Sequence, residues 1–404
     1  MSFAYSRRVT FPRTFVRHLS LGLFTMSAAQ SPASLATRWA TRLGFFIAGF
    51  ALSVWAPMVP YVRERISMSD ASFGLLLLCV GVGSLICMPL SGALAAKHGI
   101  RSVALTCISL LVIALFFMAN TQSIWLLAIA LFCFGGTLDV LDVVLNIQSL
   151  MVEKATGEQL MSNFHGMFSL GTISGSLLLT LLLTLGIPAL PAALSMIALI
   201  ILITLPTIKG TLSTKVEHSG SSLAWPRGIV LLVGALCFIV YLAEGAILDW
   251  SALYLTQDKA MATSQAGLGY ASFALMVTVG RFLGKHIVER LGHALTIISG
   301  SLIAAAGISI SVVAEYWSLA LLGYALCGLG CANISPLLIS SLSKQSVMPV
   351  HLAVTAATTV GFAGVLAGPA IMGLIAHYSS LAAAFLMLTL LLACIAPLGR
   401  VFSR

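Results

Sequence analysis

Two carboxylates and an amide interrupt the apolar stretch FCFGGTLDVLDVVLNIQSL at residues 132–150, where Asp139, Asp142 and Asn146 stand at i, i+3 and i+7. That spacing puts all three on one face of a helix. If the helix crosses a bilayer, two charged, unpaired aspartates would cost about 5–7 kcal/mol. The stripe therefore either bonds a neighbouring helix or handles a polar solute and protons. Desolvation disfavours the charged form of a carboxyl, so a buried acid can take up and release a proton near neutral pH. Asp142 is the candidate proton carrier, with Asp139 and Asn146 shaping its environment and contacting solute.

Other polar side chains recur in apolar surroundings. His165, Ser169, Thr172 and Ser176 follow i, i+4, i+7 and i+11, a continuous stripe. The hydroxyls can satisfy themselves on their own helix backbone, whereas a histidine can carry a proton. At about 1.5 Å per residue, Asn146 and His165 lie at similar depths, about 9 and 7 Å in, and are expected to meet across a short hairpin. Glu244 and Asp249, in AEGAILDW, are five residues apart and so turned about 140° from each other. Glu244 is expected to face a central cavity and join Asp142 and His165 in proton coupling. Asp249, beside a Trp250 placed to anchor at the membrane interface, is a candidate for gating or solute contact. Arg281 needs an acidic or carbonyl partner, either in a fixed ion pair or on a solute. Trp55, Pro57 and Pro60, and Asn333 with Pro336, mark helices expected to bend beside a cavity. Trp55 and Asn333 are further candidates for solute contact.

The elements that must position these groups are membrane helices. Of 404 residues, 59% are hydrophobic and 8% charged, with a mean hydropathy of +1.05; a soluble domain carries about three times as much charge. Twelve apolar runs are long enough to span, with approximate cores at 42–61, 72–95, 102–119, 124–151, 161–185, 188–207, 228–255, 264–286, 294–314, 317–342, 350–376 and 380–398. With the N-terminus inside, 17 of the 21 Lys and Arg fall on the cytoplasmic side, Arg63, Arg65 and Lys259 fall outside, and Arg281 lies within a span. That asymmetry fits the positive-inside rule and predicts both termini in the cytoplasm. The net charge of +9 is thereby topological and implies no nucleic-acid partner. Eight cysteines without paired loop spacing suggest neither a disulfide framework nor a metal site. No phosphate-binding loop is present, so neither ATP nor another cofactor is expected.

The chain divides into a basic tail (1–41), a six-helix half (42–207), a polar central loop (208–227) and a second half (228–404). Repeats are common in transporters. Here SGALAAKHGIR after the second span and GKHIVERLGH after the eighth align with Gly99 opposite Gly292, an offset of 193 residues.

Over about residues 40–400 the chain resembles the major facilitator superfamily. Gly92, Lys97, Gly99 and Arg101 match that family's loop between spans two and three, with Ala96 where it has an acid; Glu289 and Arg290 match the weaker second copy, with Lys285 in place of its first glycine. Those residues would serve gating or structure, as would Arg281. LDVVLN, FHGMFSLGT, AEGAILDWSALYL and TTVGFAGVLAGPAIMG look like bacterial inner-membrane transporters of the YbjJ type. Asp142 and Asn146 also match an acid-x-x-x-asparagine pattern of the fucose permease, but residues 43–61 lack the acid which that protein carries in span one.

The resemblance implies an all-α membrane protein with twelve helices in two six-helix halves. It further implies a monomeric secondary transporter of the bacterial cytoplasmic membrane, whose partners are protons, a small polar, sugar-like solute and the lipid bilayer. Proton-coupled uptake is the expected direction. Proton-driven efflux of drugs or metabolites, and a non-transporting sensor or scaffold, are the competing readings. No enzymatic activity is expected.

Overall fold

In a computed structural model, residues 31–215 and 225–402 are described; most of the basic tail and the middle of the central loop lie outside them. Serines start several of the helices by accepting backbone N–H bonds that the first turn leaves unpaired. Ser34 caps α1 (Leu35–Ile66), Ser69 caps α2 (Asp70–Cys87), and a turn at Met88–Leu90 links α2 to α3 (Ser91–His98). After α4 (Ile100–Asn120), Ser123 caps α5 (Ile124–Thr156), and α6 (Met161–Thr184) and α7 (Ala189–Gly210) complete the first half. The second half comprises α8 (Ile229–Gln257), α9 (Leu268–Val313), α10 (Trp317–Cys331), α11 (Ile334–Ser341), α12 (Val350–Tyr378) and α13 (Leu381–Leu398).

Among the described residues, eleven helical stretches are long and apolar enough to cross a membrane. The longest contains two passes, because Gly292 breaks α9 with φ 74° and ψ 170°. Twelve passes result, and the first begins at Leu35, seven residues before its expected core. Gly99 has almost the same conformation, φ 81° and ψ 157°. Residues with a Cβ avoid that region, so glycine at both aligned positions is a backbone requirement. The tenth pass is interrupted where Asn333 and Pro336 led a bend to be expected: it stops at Cys331 and restarts at Ile334. Pro336 cannot donate to the helix ladder, and Asn333 instead donates its side-chain amide to the Gly280 carbonyl at 2.8 Å. In α1, by contrast, Pro57 and Pro60 lie within one continuous helix.

Close backbone approach holds each half together. A Cβ on Gly49 would stand 2.1 Å from the Phe168 carbonyl oxygen, and one on Gly364 2.2 Å from that of Phe238. These contacts pair α1 with α6 and α8 with α12, as expected of a repeated unit packed through small residues. Trp125, Val313, Leu202 and Leu390 are exposed while Trp250, Tyr254 and Phe164 are buried, so large apolar side chains lie both inside and outside. An apolar exterior of this extent belongs in lipid.

The halves interlock at the end opposite the described termini. There Ser176 donates to the Gly267 carbonyl (3.0 Å), Thr184 donates to that of Ser264 (3.3 Å), and Gly74 packs on Pro369 and Gly373. At the other end, among the described residues, α5 and α6 do not pack closely on α10, α11 or α12. A cleft opens there between α5 and the helices α10, α11 and α12, while α6 stays near α9, where a Cβ on Gly166 would stand 3.8 Å from Phe282.

Candidate functional site

The stripe on α5 forms as its spacing predicts, with Asp139, Asp142 and Asn146 half-buried. Asn146 turns back one helical turn, its amide bonding the Asp142 carbonyl oxygen at 2.9 Å and carboxyl Oδ2 at 3.0 Å. The local pair fixes the Asp142 rotamer and leaves Oδ1 available. Asp139 faces Ser84 and Cys87 of α2. Asn146 and His165 are not joined by a hydrogen bond. Instead, His165 is exposed and stands edge-on to Phe45 of α1, with ring centroids 5.1 Å apart. Its stripe splits by role: Thr172 bonds its own helix backbone, while Ser176 reaches the other half.

Glu244 of α8 is half-buried. The charge of Arg281, on α9, acts on Glu244, Tyr241 and Tyr270 and across the cleft on His165. Yet Arg281 is exposed, and among the described residues it makes no ion pair or hydrogen bond; the ion pairs are Arg38–Glu158, Arg63–Asp70 and Lys285–Glu289. Of the two readings of Arg281, a fixed ion pair is not formed among the described residues. Tyr241 and Tyr270 were not singled out by sequence, although hydroxyls in the span of Glu244 and in the next were a usable signal.

Asp249 corrects a sequence expectation. Its neighbour Trp250 is no interface anchor: it is fully buried, edge-on to Phe73 of α2, with its indole N–H unpartnered. Asp249 Oδ1 instead accepts a hydrogen bond from Trp55 Nε1 of α1 at 2.8 Å. Both residues are buried, at 9% and 3% exposure, and they belong to opposite halves. The indole is thus occupied by a carboxyl. Glu244 and Asp249 do diverge, one toward Arg281 and the other toward α1.

At the same end, Arg63 pairs with Asp70 at 2.6 Å. Asp258, just beyond α8, carries a carboxyl whose pKa is raised by partial burial, opposed by Lys259 and reinforced by Asp70 of the other half. Arg65 donates to the carbonyls of Met118, Ala119 and Thr121, and Lys259 to those of Val312 and Ala314. Each cation satisfies a helix C-terminus and complements its dipole.

The remaining family-like residues lie in the loops at the open end. Arg101 donates to the Thr211 carbonyl at 2.8 Å, and its backbone N–H bonds Leu212. That loop is thereby strapped to the start of the central connection. Gly92 is half-buried, and Lys97, Glu289 and Arg290 are exposed; the Lys285–Glu289 contact of 3.9 Å is a surface pair of little energetic consequence. Gln148, which sequence reasoning missed, is fully buried and ties α5 to Thr41 (2.8 Å) and to the Leu212 N–H (3.0 Å). Among the described residues no cluster of His, Cys, Asp and Glu could hold a metal ion.

Comparison with known proteins matches residues 42–346 to the Major Facilitator Superfamily. An uncharacterized MFS-type transporter from Yersinia pestis is 45% identical, over 90% of this chain and 95% of that protein. Among solved structures, a mutant of the nucleoside transporter NupG superposes with a TM-score of 0.75 at 12% identity, covering 91% of this chain and all of that one. A bacterial homolog of the human lysosomal transporter Spinster, inward-facing and occupied, gives 0.68 at 13% identity, over 93% and 98%. With its twelve passes in two interlocked halves, this chain belongs to the major facilitator superfamily and is a multi-pass membrane transporter, not an enzyme.

Proposed function

We propose that the protein couples uptake of a small polar organic solute to proton movement by alternating access, with Asp142 as the proton site. One observation carries this reading: the halves interlock at one end only, and membrane-embedded polar groups border the cleft at the other. A scaffold would gain nothing from leaving Asp142, His165 and Arg281 outside fixed ion pairs, since polar groups at that depth are costly unless they are used. Asp142, Asn146, His165 and Glu244 suit a small hydrogen-bonding solute better than a bulky apolar drug. Basic residues concentrated at the open end support placing that end in the cytoplasm of a bacterial inner membrane.

The test uses reconstituted vesicles with a trapped pH dye and a panel of sugars, polyols, nucleosides and organic acids. Wild type should move protons when one of them is added. Asp142→Asn keeps the side-chain volume but cannot release a proton, so it should exchange solute at equal pH yet fail to accumulate it down a pH gradient. Gradient-driven accumulation by Asp142→Asn at the wild-type level would refute the assignment, and solute movement without protons would refute the coupling.

A further inference from the structure

Arg281 is a guanidinium within a transmembrane pass whose donors are all uncommitted among the described residues. Unpaired arginine at such depth is rare and costly unless it faces water or a ligand. It lies in the inner part of the pass, about 6 Å along the helix from Lys285 at about 1.5 Å per residue. It is exposed, and its neighbour Phe282 lies against Gly166 of α6, the residue after His165. Glu244 holds it electrostatically without coming within ion-pair distance, and His165 approaches from the other half. The acids Asp139 and Asp142 stand apart on α5. Arg281, with Glu244 beside it and His165 opposite, is thus set apart from the α5 acids Asp139 and Asp142.

We propose that Arg281 receives the carboxylate of the transported solute, which places the substrate among small organic acids. This deepens the transport reading above and rests on its cleft. The guanidinium offers a planar fork of five N–H donors that fits a carboxylate with two parallel bonds. His165, facing it, can donate a further N–H to the same anion. With its carboxylate there, a small acid would direct its hydroxyl groups toward Asp142 and Asn146. Proton and solute would then share one cleft while occupying opposite walls of it.

The experiment measures thermal stabilisation of the purified full chain by matched pairs: gluconate against sorbitol, galacturonate against galactose, and nicotinate against nicotinamide. A ligand bound only by the folded protein raises apparent stability. At least one acid should stabilise wild type where its neutral counterpart does not. Arg281→Gln should weaken that acid about 10- to 150-fold, the range for losing a hydrogen bond to a charged group, and Arg281→Lys should retain part of the affinity. Without ligand, Arg281→Gln should not lower the unfolding midpoint, because among the described residues no hydrogen bond or ion pair is lost with the exposed guanidinium. The inference is overturned if no acid stabilises wild type, if the neutral partners act equally, or if Arg281→Gln lowers the unliganded midpoint. Asp142→Asn should still bind the acid. Acid binding without any proton movement would leave this inference standing and defeat the proton-coupled reading, so the two failures are separable.

Discussion

Breaking the Trp55–Asp249 bond should open the end at which the halves interlock. The indole N–H and carboxyl Oδ1 are 2.8 Å apart, and both side chains are nearly excluded from solvent. Separation of the halves would let water replace the bond, so its contribution counts toward the interlocked state alone. A hydrogen bond contributes about 0.5–1.5 kcal/mol net between neutral groups and about 1.5–3 kcal/mol when one is charged. Trp55→Phe removes the donor and leaves a buried acceptor without a partner. The equilibrium should move toward the separated state by about 2- to 13-fold for a neutral carboxyl and about 10- to 150-fold for a charged one. Asp249→Asn keeps an acceptor oxygen for the indole and should shift the equilibrium less than Trp55→Phe does.

Spin labels at Gln122 and Ser318, exposed at this end in opposite halves, would report the change as a longer-distance population in pulsed distance measurements. The native cysteines would first be replaced; among the described residues they form no disulfide. A Trp55→Phe distance distribution that superposes on wild type would refute the reasoning. So would an opening produced equally by Asp249→Asn, because the lost donor would then not be the cause.

Two further outcomes follow from the same structure. The Asp258 carboxyl has a raised pKa while Asp70 of the other half is near, so protonation favours interlocking; that contribution is present at low pH and lost as pH rises through the raised value. Acidification should shorten the same label distance in wild type and do so less in Asp258→Asn; equal pH responses would dismiss the role. Alanine at Gly99 or Gly292 should cost about 1–3 kcal/mol for the forced backbone conformation. Gly99→Ala should lower the unfolding midpoint further, because its Cβ would meet the Ser213 carbonyl oxygen at 2.8 Å whereas nothing lies within 4 Å of that at Gly292.

Sequence made the scaffold legible because each of its signals is local. Apolar length marks the passes, the alignment of Gly99 with Gly292 marks the repeat, and the i, i+3, i+7 spacing puts Asp139, Asp142 and Asn146 on one stripe. What it could not supply were pairings between elements far apart in the chain. Trp55 and Asp249 were each noticed, yet nothing in either local stretch said that they bond. Trp250 followed the composition rule for interface tryptophans, but the packing of α8 against α1 and α2 buries it. The break in the tenth pass had its signal in Asn333 and Pro336; that Asn333 would bond the Gly280 carbonyl is again a long-range fact.

The repeat contains more information than its loops alone show. Trp55 and Asp249 are 194 residues apart, and so are Arg65 and Lys259, as are the carbonyls of Met118 and Val312 that those two cations cap. That spacing is one residue longer than the 193 of the loops, so the bond between halves joins counterparts to within one residue, as positions near an approximate two-fold axis would. The cations, away from that axis, perform one task twice. The polar groups of the cleft are not repeated in this way: under the 193-residue offset Asp142 falls opposite Ser335, His165 opposite Thr358, Glu244 opposite Ala51 and Arg281 opposite Met88. Duplicated residues therefore hold and close the bundle, whereas ionisable residues present in one half only give the cleft its chemical direction. A solute bound between unlike walls can be oriented, as symmetrical walls could not orient it. This is the physical ground for seeking the substrate's recognition in Arg281 and the proton's in Asp142.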